Sequence, residues 1–474
     1  MRPFDLLVLA IYFVALGWIG WRTASAGKHK NSERDLLVGD RQIPWWAVLL
    51  SVLGSEISAL TFVGVPARAY TGNWTYLQVT LGAIGGRYLV SRYFVPAFYR
   101  HNVVSIYEFL LRRYGPWTRN VAVVVFLFAR VLMSGVRLGA GALIVHLALN
   151  VPLHLAIVIT ALVGLVFCAA GGVKAVVWTE VLQVSVMFVG ALCALAVLLW
   201  NTRGLSAGPI QVIDFSTDPK LEFTIWAALF GTTLTNAAIF GTDYDMVQRM
   251  LTAKNSRQSG RAVIGSALAE IPIISLFLAI GTLLRVFYQA HPDPGLPDSA
   301  NKVFGYFIIH QLPAGLCGLL VAAVISVLLS SYESALASLA GSFTVDLYRS
   351  FWPNRQPGHY LWVTRAATLG FALLLLSVAI VCSSVEQILT LGLEIGTYFY
   401  GALLAVFGLA LALPEDRPAG WDRWTATVAM PLSIVTVMYV KSLGALAFPW
   451  FVSLGALTAG LLIWIPRRLF SKTV

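Results

Sequence analysis

The sequence predicts an all-α polytopic membrane protein with about thirteen transmembrane helices, judged by the roughly 20 apolar residues that one helix needs to cross a bilayer. Two observations support this class. Hydrophobic residues make up 58% of the 474 residues and charged residues 12%, whereas about a quarter of the residues of a soluble domain are charged. The apolar residues also fall into separate runs bounded by glycine, proline or charged residues, as expected for successive membrane helices.

The first apolar run, 4–21, is predicted to be a retained helix rather than a signal peptide, because it is long and its positive charges follow it. The other predicted spans, in order, are 43–70, 75–98, 117–148, 152–172, 178–200, 224–246, 258–289, 314–345, 358–382, 385–412, 422–442 and 446–467. The loops between them are too short to hold a soluble domain, so we expect a single transmembrane domain over 1–474.

Lysine and arginine are concentrated in alternate loops, which is typical of the cytoplasmic side of a membrane protein. These basic segments include Lys28, Lys30 and Arg34 near the N-terminus and Arg467 with Arg468 near the C-terminus. The pattern predicts a multi-pass protein of the plasma (inner) membrane with its N-terminus outside and its C-terminus in the cytoplasm. It also accounts for the net charge of +11 without a nucleic-acid partner, which would need that charge on one soluble face.

Nothing in the sequence indicates an enzyme. The four cysteines lie in apolar runs without C-x-x-C spacing, and the seven histidines are scattered, so neither a disulfide framework nor a zinc site is expected. The HExxH motif, which brings a metal to a reaction centre, is also missing from the sequence.

Polar residues interrupt the span 314–345 at mid-depth. Ser330, Glu333 and Ser334 share one face of a helix, and Ser331 flanks that face. Such groups are costly in hydrocarbon and usually face a bundle interior, where their oxygens suit a hard cation such as sodium. The alternative is a close helix–helix contact made by small serines. Glu333 favours an ion or proton site over that alternative.

The span 43–70 is interrupted in a similar way by Gly54-Ser55-Glu56, followed by Ser58 and Thr61. This pattern predicts a locally unwound helix, whose freed carbonyl groups are tolerated in a membrane only where they line a cavity or meet an ion. The alternative is a tight Gly/Ser packing contact. The helix pattern of the span 224–246 is interrupted in a comparable way at Gly231–Asn236. Two interrupted spans about five helices apart indicate an inverted-repeat transporter with its site at the membrane midplane.

Further charged residues lie within or near the spans. Glu180 is either part of a polar site or an interfacial anchor for Lys174 or Trp178, and Glu270 and Glu394 are expected to form buried structural pairs with arginines. Two interpretations are open for the arginines of the span 117–148, Arg130 and Arg137. An arginine deep in a bundle suits an anionic substrate, because its planar fork matches a carboxylate, whereas one near a helix end extends to the interface.

Five segments, in this order, resemble the sodium/solute symporter family, which includes sodium/glucose, proline, iodide, multivitamin and sialic acid transporters. They are Ser58–Pro66, Val95–Arg100 with Ser105–Glu108, Gly171–Gln183, Asp243–Lys254, and Ser330-Ser331 followed by Phe343–Tyr348. The resemblance implies a leucine-transporter-like fold with a 5+5 inverted repeat. The domain would then comprise an extra N-terminal helix at 1–24, a ten-helix core at 43–412 and two C-terminal helices at 420–467.

The resemblance also implies two cation sites. The shared sodium site would use the carbonyls of Gly54, Ile57 and Val327 and the hydroxyls of Ser330 and Ser331. A second ion site, known in the sialic acid transporters, corresponds here to Glu180, Ser330, Glu333 and Ser334. Glu180 replaces the usual aspartate and Glu333 a hydroxyl, so Glu333 is expected to coordinate sodium, to carry a proton, or to occupy the space of the ion.

The positions implied for substrate binding are Glu56, Ser58, Thr61, Gln78, Thr80, Arg130, Met133, Arg137 and Asn236. Met133 stands where sialic acid transporters have the arginine that holds the carboxylate, and Arg130 and Arg137, one turn to either side, are the candidates to replace it. The segment Gly64–Tyr70 most resembles the iodide, monocarboxylate and vitamin branch of the family. That branch implies a small organic anion as the solute.

The resulting hypothesis is a sodium-coupled symporter that imports a small polar or anionic organic solute by alternating access. It needs sodium as the coupling ion, a small-molecule solute and a lipid bilayer, with no nucleic acid and no obligatory oligomer. The sequence also allows two alternatives: a membrane-embedded solute sensor with the same fold, and a transporter coupled to protons rather than sodium.

Overall fold

A computed structural model describes residues 2–26, 39–103, 105–168, 173–383, 385, 388–413 and 420–470. Within these ranges the secondary structure is helical, and the one isolated β-bridge joins Ile43 to Ala253. The basic residues Lys28, Lys30 and Arg34 and the pair Gly171-Gly172 lie outside the described residues. The all-α prediction is therefore confirmed for the part of the chain that the structure describes.

The α-helices begin and end close to the predicted spans. In chain order they are α1 (Pro3–Ala26), α2 (Trp45–Glu56), α3 (Ala59–Thr71), α4 (Val79–Leu89), α5 (Val95–Arg100), α6 (Ile106–Tyr114), α7 (Pro116–Leu149), α8 (Leu153–Cys168), α9 (Val173–Asn201), α10 (Thr233–Thr242), α11 (Tyr244–Leu251), α12 (Ser256–Ala290), α13 (Ala300–His310), α14 (Leu316–Ser342), α15 (Arg349–Phe351), α16 (Pro357–Cys382), α17 (Ile388–Ala412), α18 (Gly420–Ser442) and α19 (Phe451–Phe470). Three π-helical turns, Val90–Phe94, Ala227–Thr232 and Phe343–Tyr348, adjoin α4, α10 and α14, and short 3₁₀ turns occupy Gly39–Arg41, Thr75–Gln78 and Phe448–Trp450.

Nine helices of the described chain are long and apolar enough to cross a membrane, and the bent pair α2 and α3 makes a tenth if it is one span. These helices confirm a multi-pass membrane protein. The predicted spans 75–98, 152–172 and 224–246 contain shorter helices, two of which are joined to π-helical turns. The count of thirteen spans and the 5+5 inverted repeat therefore stay predictions.

The predicted break in the second span is confirmed. Helix α2 ends at Glu56, Ile57 and Ser58 have extended backbone, and α3 leaves at 62° to α2. The Ser58 hydroxyl accepts a hydrogen bond from the Leu60 N–H at 3.3 Å, which caps one of the backbone donors exposed at the start of a helix. Since backbone groups need partners within a membrane, the break lies where other polar groups can reach it.

Helix α14 runs through the centre of the bundle and is the most buried of the candidate spans. Asp5 at the start of α1 accepts hydrogen bonds from the N–H groups of Gly315 and Gly318, at 2.7 and 3.0 Å. Helix α1 is thereby tied to the beginning of α14. The polar middle of α14 faces the break between α2 and α3, and this arrangement positions the candidate site.

Candidate functional site

The break after α2 and the middle of α14 meet through one hydrogen bond. The Ser330 hydroxyl donates to the Gly54 carbonyl at 3.1 Å, across 276 residues of sequence. Val327 and Ser331 are buried on the same helix, and the Ser331 hydroxyl has no hydrogen-bond partner among the described residues. Because nearly all buried polar groups in proteins are hydrogen-bonded, the Ser331 oxygen is available to a ligand that the structure does not contain.

Glu180 of α9 also reaches this point. It is 1% exposed and accepts hydrogen bonds from the hydroxyls of Ser51, of Ser55 at 3.1 Å and of Ser330 at 3.3 Å. Arg249 forms an ion pair with it at 2.7 Å. The interpretation of Glu180 as an interfacial anchor for Lys174 or Trp178 was therefore wrong, since its carboxylate lies inside the bundle.

A chain of buried charges extends from Glu180. Arg249 pairs with Glu180 and with Asp245 at 2.5 Å, and Arg130 pairs with Asp245 and with Asp243 at 3.3 Å. We call these five residues the acidic cluster, because three carboxylates face two guanidinium groups. With every member ionised the cluster carries one net negative charge, which one monovalent cation beside Glu180 would balance.

Two hydroxyl groups complete the acidic cluster. Ser334 donates to Asp245 at 2.6 Å, and the Tyr400 hydroxyl donates to Asp243. Ser334 thus already has a carboxylate partner in the structure. The predicted second-ion positions Glu180 and Ser334 both lie at this cluster, each bonded to another member of it.

A second group of charges lies beside the end of α2. Arg87 is fully buried, pairs with Glu56 and with Glu270 at 2.7 Å, and stacks on Phe240 with 4.2 Å between guanidinium and ring. The second carboxylate oxygen of Glu56 has no partner within the described chain. The expected structural pairing of Glu270 is found. Glu394 pairs with Lys441 at 2.5 Å rather than with an arginine.

Arg137 differs from the other buried arginines. One of its terminal nitrogens donates to the carbonyl of Ser55 at 3.2 Å, and its Nε is buried without a partner among the residues described. No ion pair of Arg137 lies within 4.0 Å in the described ranges, whereas Arg130 has two. Arg137 therefore places a positive charge without a direct ion pair at the helix break, where it bonds the Ser55 carbonyl.

The other predicted substrate positions are spread over several elements. Gln78 bonds the backbone of Thr75, Phe223 and Asp214, and Thr80 and Asn236 each donate to a carbonyl of the preceding helical turn. Their polar groups support the local backbone. Ser58 caps α3, and Thr61 follows it within the first turn of that helix.

Met133 lies on α7 and packs against α17. A methyl group built at Gly396 would come within 2.7 Å of the Met133 sulfur. The structure thus brings Glu56, Ser58 and Arg137 together at the break and leaves Met133 at the α7–α17 contact.

Sequence reasoning gave no role in the site to Arg87, Asp243, Asp245, Arg249 or Tyr400, although Asp243–Lys254 is one of the segments that resemble the family. Asp245 and Arg249 are four residues apart on the short helix α11, in a chain with few charges. Opposite charges at that spacing, flanked by two membrane spans, are a signal that points to a buried network. Arg87 could have been noticed in the same way as a cation in the middle of an apolar run.

At the opposite end of α3, Arg68 stacks on Phe223 with 4.0 Å between guanidinium and ring and lies 3.7 Å from Glu222. Glu222 belongs to the loop 202–224, outside the spans. Burial raises the pKa of its carboxyl group, and the positive charge of Arg68 only partly offsets this effect. These two contacts form a weak, partly exposed link between the loop 202–224 and α3.

A groove of about 350 Å³ on the outer surface lies between α1 and α9, lined by Trp18, Arg22, Trp178 and apolar neighbours. Its wall is almost entirely apolar, so it suits lipid rather than a polar solute. Among the described residues, no group of three His, Cys, Asp or Glu side chains has the arrangement of a metal centre. The oxygen-rich break between α2 and α3 remains the best candidate site.

Comparison with known proteins shows the family of the chain. The model of the Sodium:solute symporter family matches residues 36–434. Human sodium-coupled monocarboxylate transporter 2 is 28% identical, covering 94% of this chain and 73% of its own length. The sodium-dependent multivitamin transporter of Oryctolagus cuniculus is 30% identical, covering 88% and 67%. The sodium/sialic acid symporter NanT of Aliivibrio fischeri is 26% identical, covering 100% and 95%.

Solved structures share the fold. A Na⁺-coupled sialic acid symporter in a substrate-bound, outward-open state superposes with a TM-score of 0.84 at 23% identity, over 99% of this chain and 98% of that one. The nucleobase-cation-symport-1 family transporter Mhp1 in a closed conformation gives 0.62 at 14% identity, over 92% and 95%. The relatives are transporters, which confirms that the chain is not an enzyme.

Proposed function

We propose that this chain, which belongs to the sodium:solute symporter family, imports a small organic anion together with sodium by alternating access. Sodium-coupled solute transport follows from the family, so the sensor and the proton-coupled transporter are not favoured. We further propose which residues hold the ion, which class of solute is transported and how the chain crosses the membrane.

The sodium site that we propose comprises the carbonyls of Gly54, Ile57 and Val327 and the hydroxyls of Ser330 and Ser331. The single observation that supports it best is the 3.1 Å contact between the Ser330 hydroxyl and the Gly54 carbonyl, which joins the broken span to α14. The partnerless, buried hydroxyl of Ser331 adds a second oxygen. Carbonyl and hydroxyl oxygens are the ligands that hard cations prefer.

The acidic cluster supports the same location. On binding sodium, the Ser330 oxygen would present its lone pairs to the ion and its proton to Glu180, 3.3 Å away. Such an outer partner orients a ligand and raises its basicity. The single net negative charge of the cluster further stabilises one sodium ion beside it.

The solute that we propose is a small organic anion held by Arg137. Its guanidinium has no carboxylate partner in the described residues and lies at the break, next to Glu56. The relatives named for monocarboxylates and sialic acid act on solutes that carry a carboxylate, which an arginine fork matches. Arg130, in contrast, is occupied by Asp243 and Asp245.

The proposed topology has thirteen spans. An N-terminal helix at 1–24 precedes a ten-helix inverted-repeat core at 43–412, and two helices at 420–467 follow it. The N-terminus lies outside and the C-terminus in the cytoplasm of the inner membrane. The fold shared with the sialic acid symporter and the alternation of basic loops support this arrangement.

Radioactive sodium binding to the purified protein tests the ion site without knowledge of the solute. Ser330→Ala combined with Ser331→Ala should weaken sodium binding at least about tenfold, because one lost contact to a charged group costs roughly 1.5–3 kcal/mol and about 1.4 kcal/mol is a factor of ten. In proteoliposomes the same variant should lose sodium-driven uptake of a solute found by screening monocarboxylates, amino acids and sugars.

Ser338→Ala is the matched control, because Ser338 is buried on the same helix and donates only to the Ala335 carbonyl at 3.0 Å. It should bind sodium as the unaltered protein does. Unchanged sodium affinity in the double variant would show that the ion lies elsewhere.

A further inference from the structure

Two apolar grooves follow the outer side of α1. The first, of about 350 Å³, lies between α1 and α9, and the second, of about 460 Å³, continues along α1 from Trp18 to Ala10. Trp18 lines both, so we call the two together the α1 groove, which runs from Arg22 to Ala10. At a rise of about 1.5 Å per residue it is about 18 Å long, slightly more than the roughly 15 Å depth of one leaflet of hydrocarbon. Its length therefore suits one lipid acyl chain.

The sequence of α1 produces this groove. Ile11, Ala15, Trp18 and Arg22 follow one another at intervals of four, three and four residues, a spacing that places them on one face of a helix. The adjacent face packs into the bundle, where Leu16 is 1% exposed and joins a cluster with residues of α14. Ile11 and Trp18 are 60% and 53% exposed. The face that ends in Arg22 is therefore the one that the protein leaves open to lipid.

Arg22 lies at one end of the α1 groove, directly after the apolar run 4–21. It is exposed, its guanidinium stacks on Trp18 at 5.1 Å from the ring centre, and no carboxylate of the described residues pairs with it. On the facing helix, Trp178 lines the same end and meets the Trp46 ring edge-on at 5.6 Å. Tryptophans concentrate at the level of the lipid headgroups. This places Arg22 at the depth of a phospholipid phosphate.

The charge of Arg22 favours an anionic lipid over a neutral one. A guanidinium fork matches a phosphate, and basic pockets between membrane helices on the cytoplasmic side bind anionic headgroups. The proposed topology places Arg22 on that side. The apolar walls do not select among lipids, because lipid tails are as apolar as the walls are. Selection therefore depends on the headgroup at Arg22.

A second copy of the chain suits the α1 groove less well. Pairs of identical chains are most often two-fold symmetric, so that the same patch meets itself. In one membrane the two Arg22 side chains would then lie at the same depth, and their like charges would repel. An anionic phospholipid instead supplies the opposite charge at that depth.

We propose that the α1 groove binds one anionic phospholipid, with its phosphate at Arg22 and one acyl chain along the groove toward Ala10. Trp178 and Leu182 of α9 form the opposite wall beside the headgroup end. The inference goes beyond the proposed transport function and does not depend on it. The lipid fills the gap between α1 and α9, the helix that carries Glu180 of the acidic cluster.

Thermal unfolding of the full-length purified protein in detergent, titrated with lipid, tests the proposal. Dioleoyl phosphatidylglycerol is the anionic probe, and dioleoyl phosphatidylcholine, with the same chains, is the neutral one. Phosphatidylglycerol should raise the unfolding midpoint of the unaltered protein at a lower concentration than phosphatidylcholine does. Arg22→Gln should raise the half-saturating concentration of phosphatidylglycerol about fivefold, the usual contribution of one basic residue near an anionic surface. It should leave the phosphatidylcholine titration unchanged.

Ser185→Phe tests the acyl-chain part of the α1 groove. Ser185 is exposed, lines the groove and donates to the Val181 carbonyl at 2.7 Å, so an added ring occupies the groove without entering the core. The stabilisation by both lipids should weaken. Ser377→Phe is the matched control, because Ser377 is an exposed serine of α16 that donates to the Leu373 carbonyl at 2.9 Å and lines neither part of the groove. It should respond to both lipids as the unaltered protein does.

Arg468→Gln is the control for charge, because Arg468 is exposed and stacks on Trp464 at 4.2 Å from the ring centre, outside the α1 groove. Its phosphatidylglycerol titration should match that of the unaltered protein. An equal loss in Arg468→Gln and Arg22→Gln would assign the preference to the overall surface charge and overturn the proposal. Equal stabilisation of the unaltered protein by the two lipids, or no change in Arg22→Gln, would overturn it as well. A dimer in detergent that Ser185→Phe dissociates would assign the groove to a second copy of the chain.

Discussion

Three buried arginines illustrate how partners determine the role of a charge. Arg87 and Arg130 each meet two carboxylates. Removing Arg87 would leave Glu56 and Glu270 without a counter-charge, and removing Arg130 would leave Asp243 without one; breaking a buried pair in this way costs roughly 3–5 kcal/mol. Arg137 donates one hydrogen bond to a carbonyl and has no acid within 4.0 Å among the described residues. The first two are therefore structural, whereas the third is the arginine that we propose to bind the anionic solute.

This difference gives a prediction at the residue scale. Arg137→Gln should raise the KM for a transported monocarboxylate about tenfold or more and change the maximal rate less, because a hydrogen bond to a charged group contributes roughly 1.5–3 kcal/mol. Arg137→Lys should retain part of the affinity, since an ammonium keeps the charge without the planar fork. Initial rates in proteoliposomes measure both.

Arg92→Gln provides the control, because Arg92 is exposed and stacks on Tyr93 with 5.6 Å between guanidinium and ring. Its KM should stay unchanged. Equal affinity in Arg137→Gln and the unaltered protein would exclude Arg137 from solute binding.

For individual residues, the sequence predicted which side chains belong to the site better than it predicted their hydrogen-bond and ion-pair partners. Ser330 and Gly54 were expected to meet, and their hydroxyl and carbonyl do so. The partner of Glu180 was not foreseen, because Arg249 lies 69 residues further along the chain and no local pattern links positions on separate helices. Long-range charge pairs depend on how helices are arranged, which single spans do not encode.

Among the helices, small residues decide which backbones approach closely. A methyl group built on Gly86 of α4 would lie 2.5 Å from the Asn236 side chain and 2.7 Å from the Ala237 nitrogen of α10. Glycines at such contacts allow membrane helices to pack backbone against backbone. The contact joins the predicted spans 75–98 and 224–246.

Gly86→Ala should therefore destabilise the protein by about 1–3 kcal/mol, as overpacking typically does, and lower its thermal unfolding midpoint in detergent. Gly370→Ala should leave stability unchanged or raise it by up to about 1 kcal/mol, because alanine is the better helix former and nothing lies within 4 Å of the added methyl group. Similar midpoints for the two variants would contradict the close approach of α4 and α10.

The lengths of the apolar runs in the sequence predicted the positions of the helices well, since each predicted span contains helix in the structure. The π-helical turns Val90–Phe94 and Ala227–Thr232 were not predicted. A single inserted residue shifts the helical register without altering composition, so hydropathy does not reveal it. The break at Ile57 was predictable because it carries glycine, a carboxylate and serines where a continuous span would be apolar.

For the whole molecule, the distribution of charge links topology to transport. Basic residues follow every second predicted span, and the acidic residues Asp214 and Asp218 lie in the loop 202–224, which the proposed topology places on the opposite side. The orientation depends on an odd number of crossings before each basic loop. The interrupted segment 224–246, which contains a π-helical turn and the short helix α10, is not one of the nine helices that are long and apolar enough to cross a membrane.

Cysteine labelling tests that crossing. In a chain whose four cysteines are replaced by alanine, a cysteine at Thr217 should react with a membrane-impermeant maleimide added to whole cells. A cysteine at Lys254, also exposed, should react only after the membrane is opened, because the proposed topology places it in the cytoplasm. Since these positions flank 224–246, labelling of both from the same side would mean that this segment does not cross. The thirteen-span topology and its inverted repeat would then fail together, because the repeat requires the segment to be a full helix of the core.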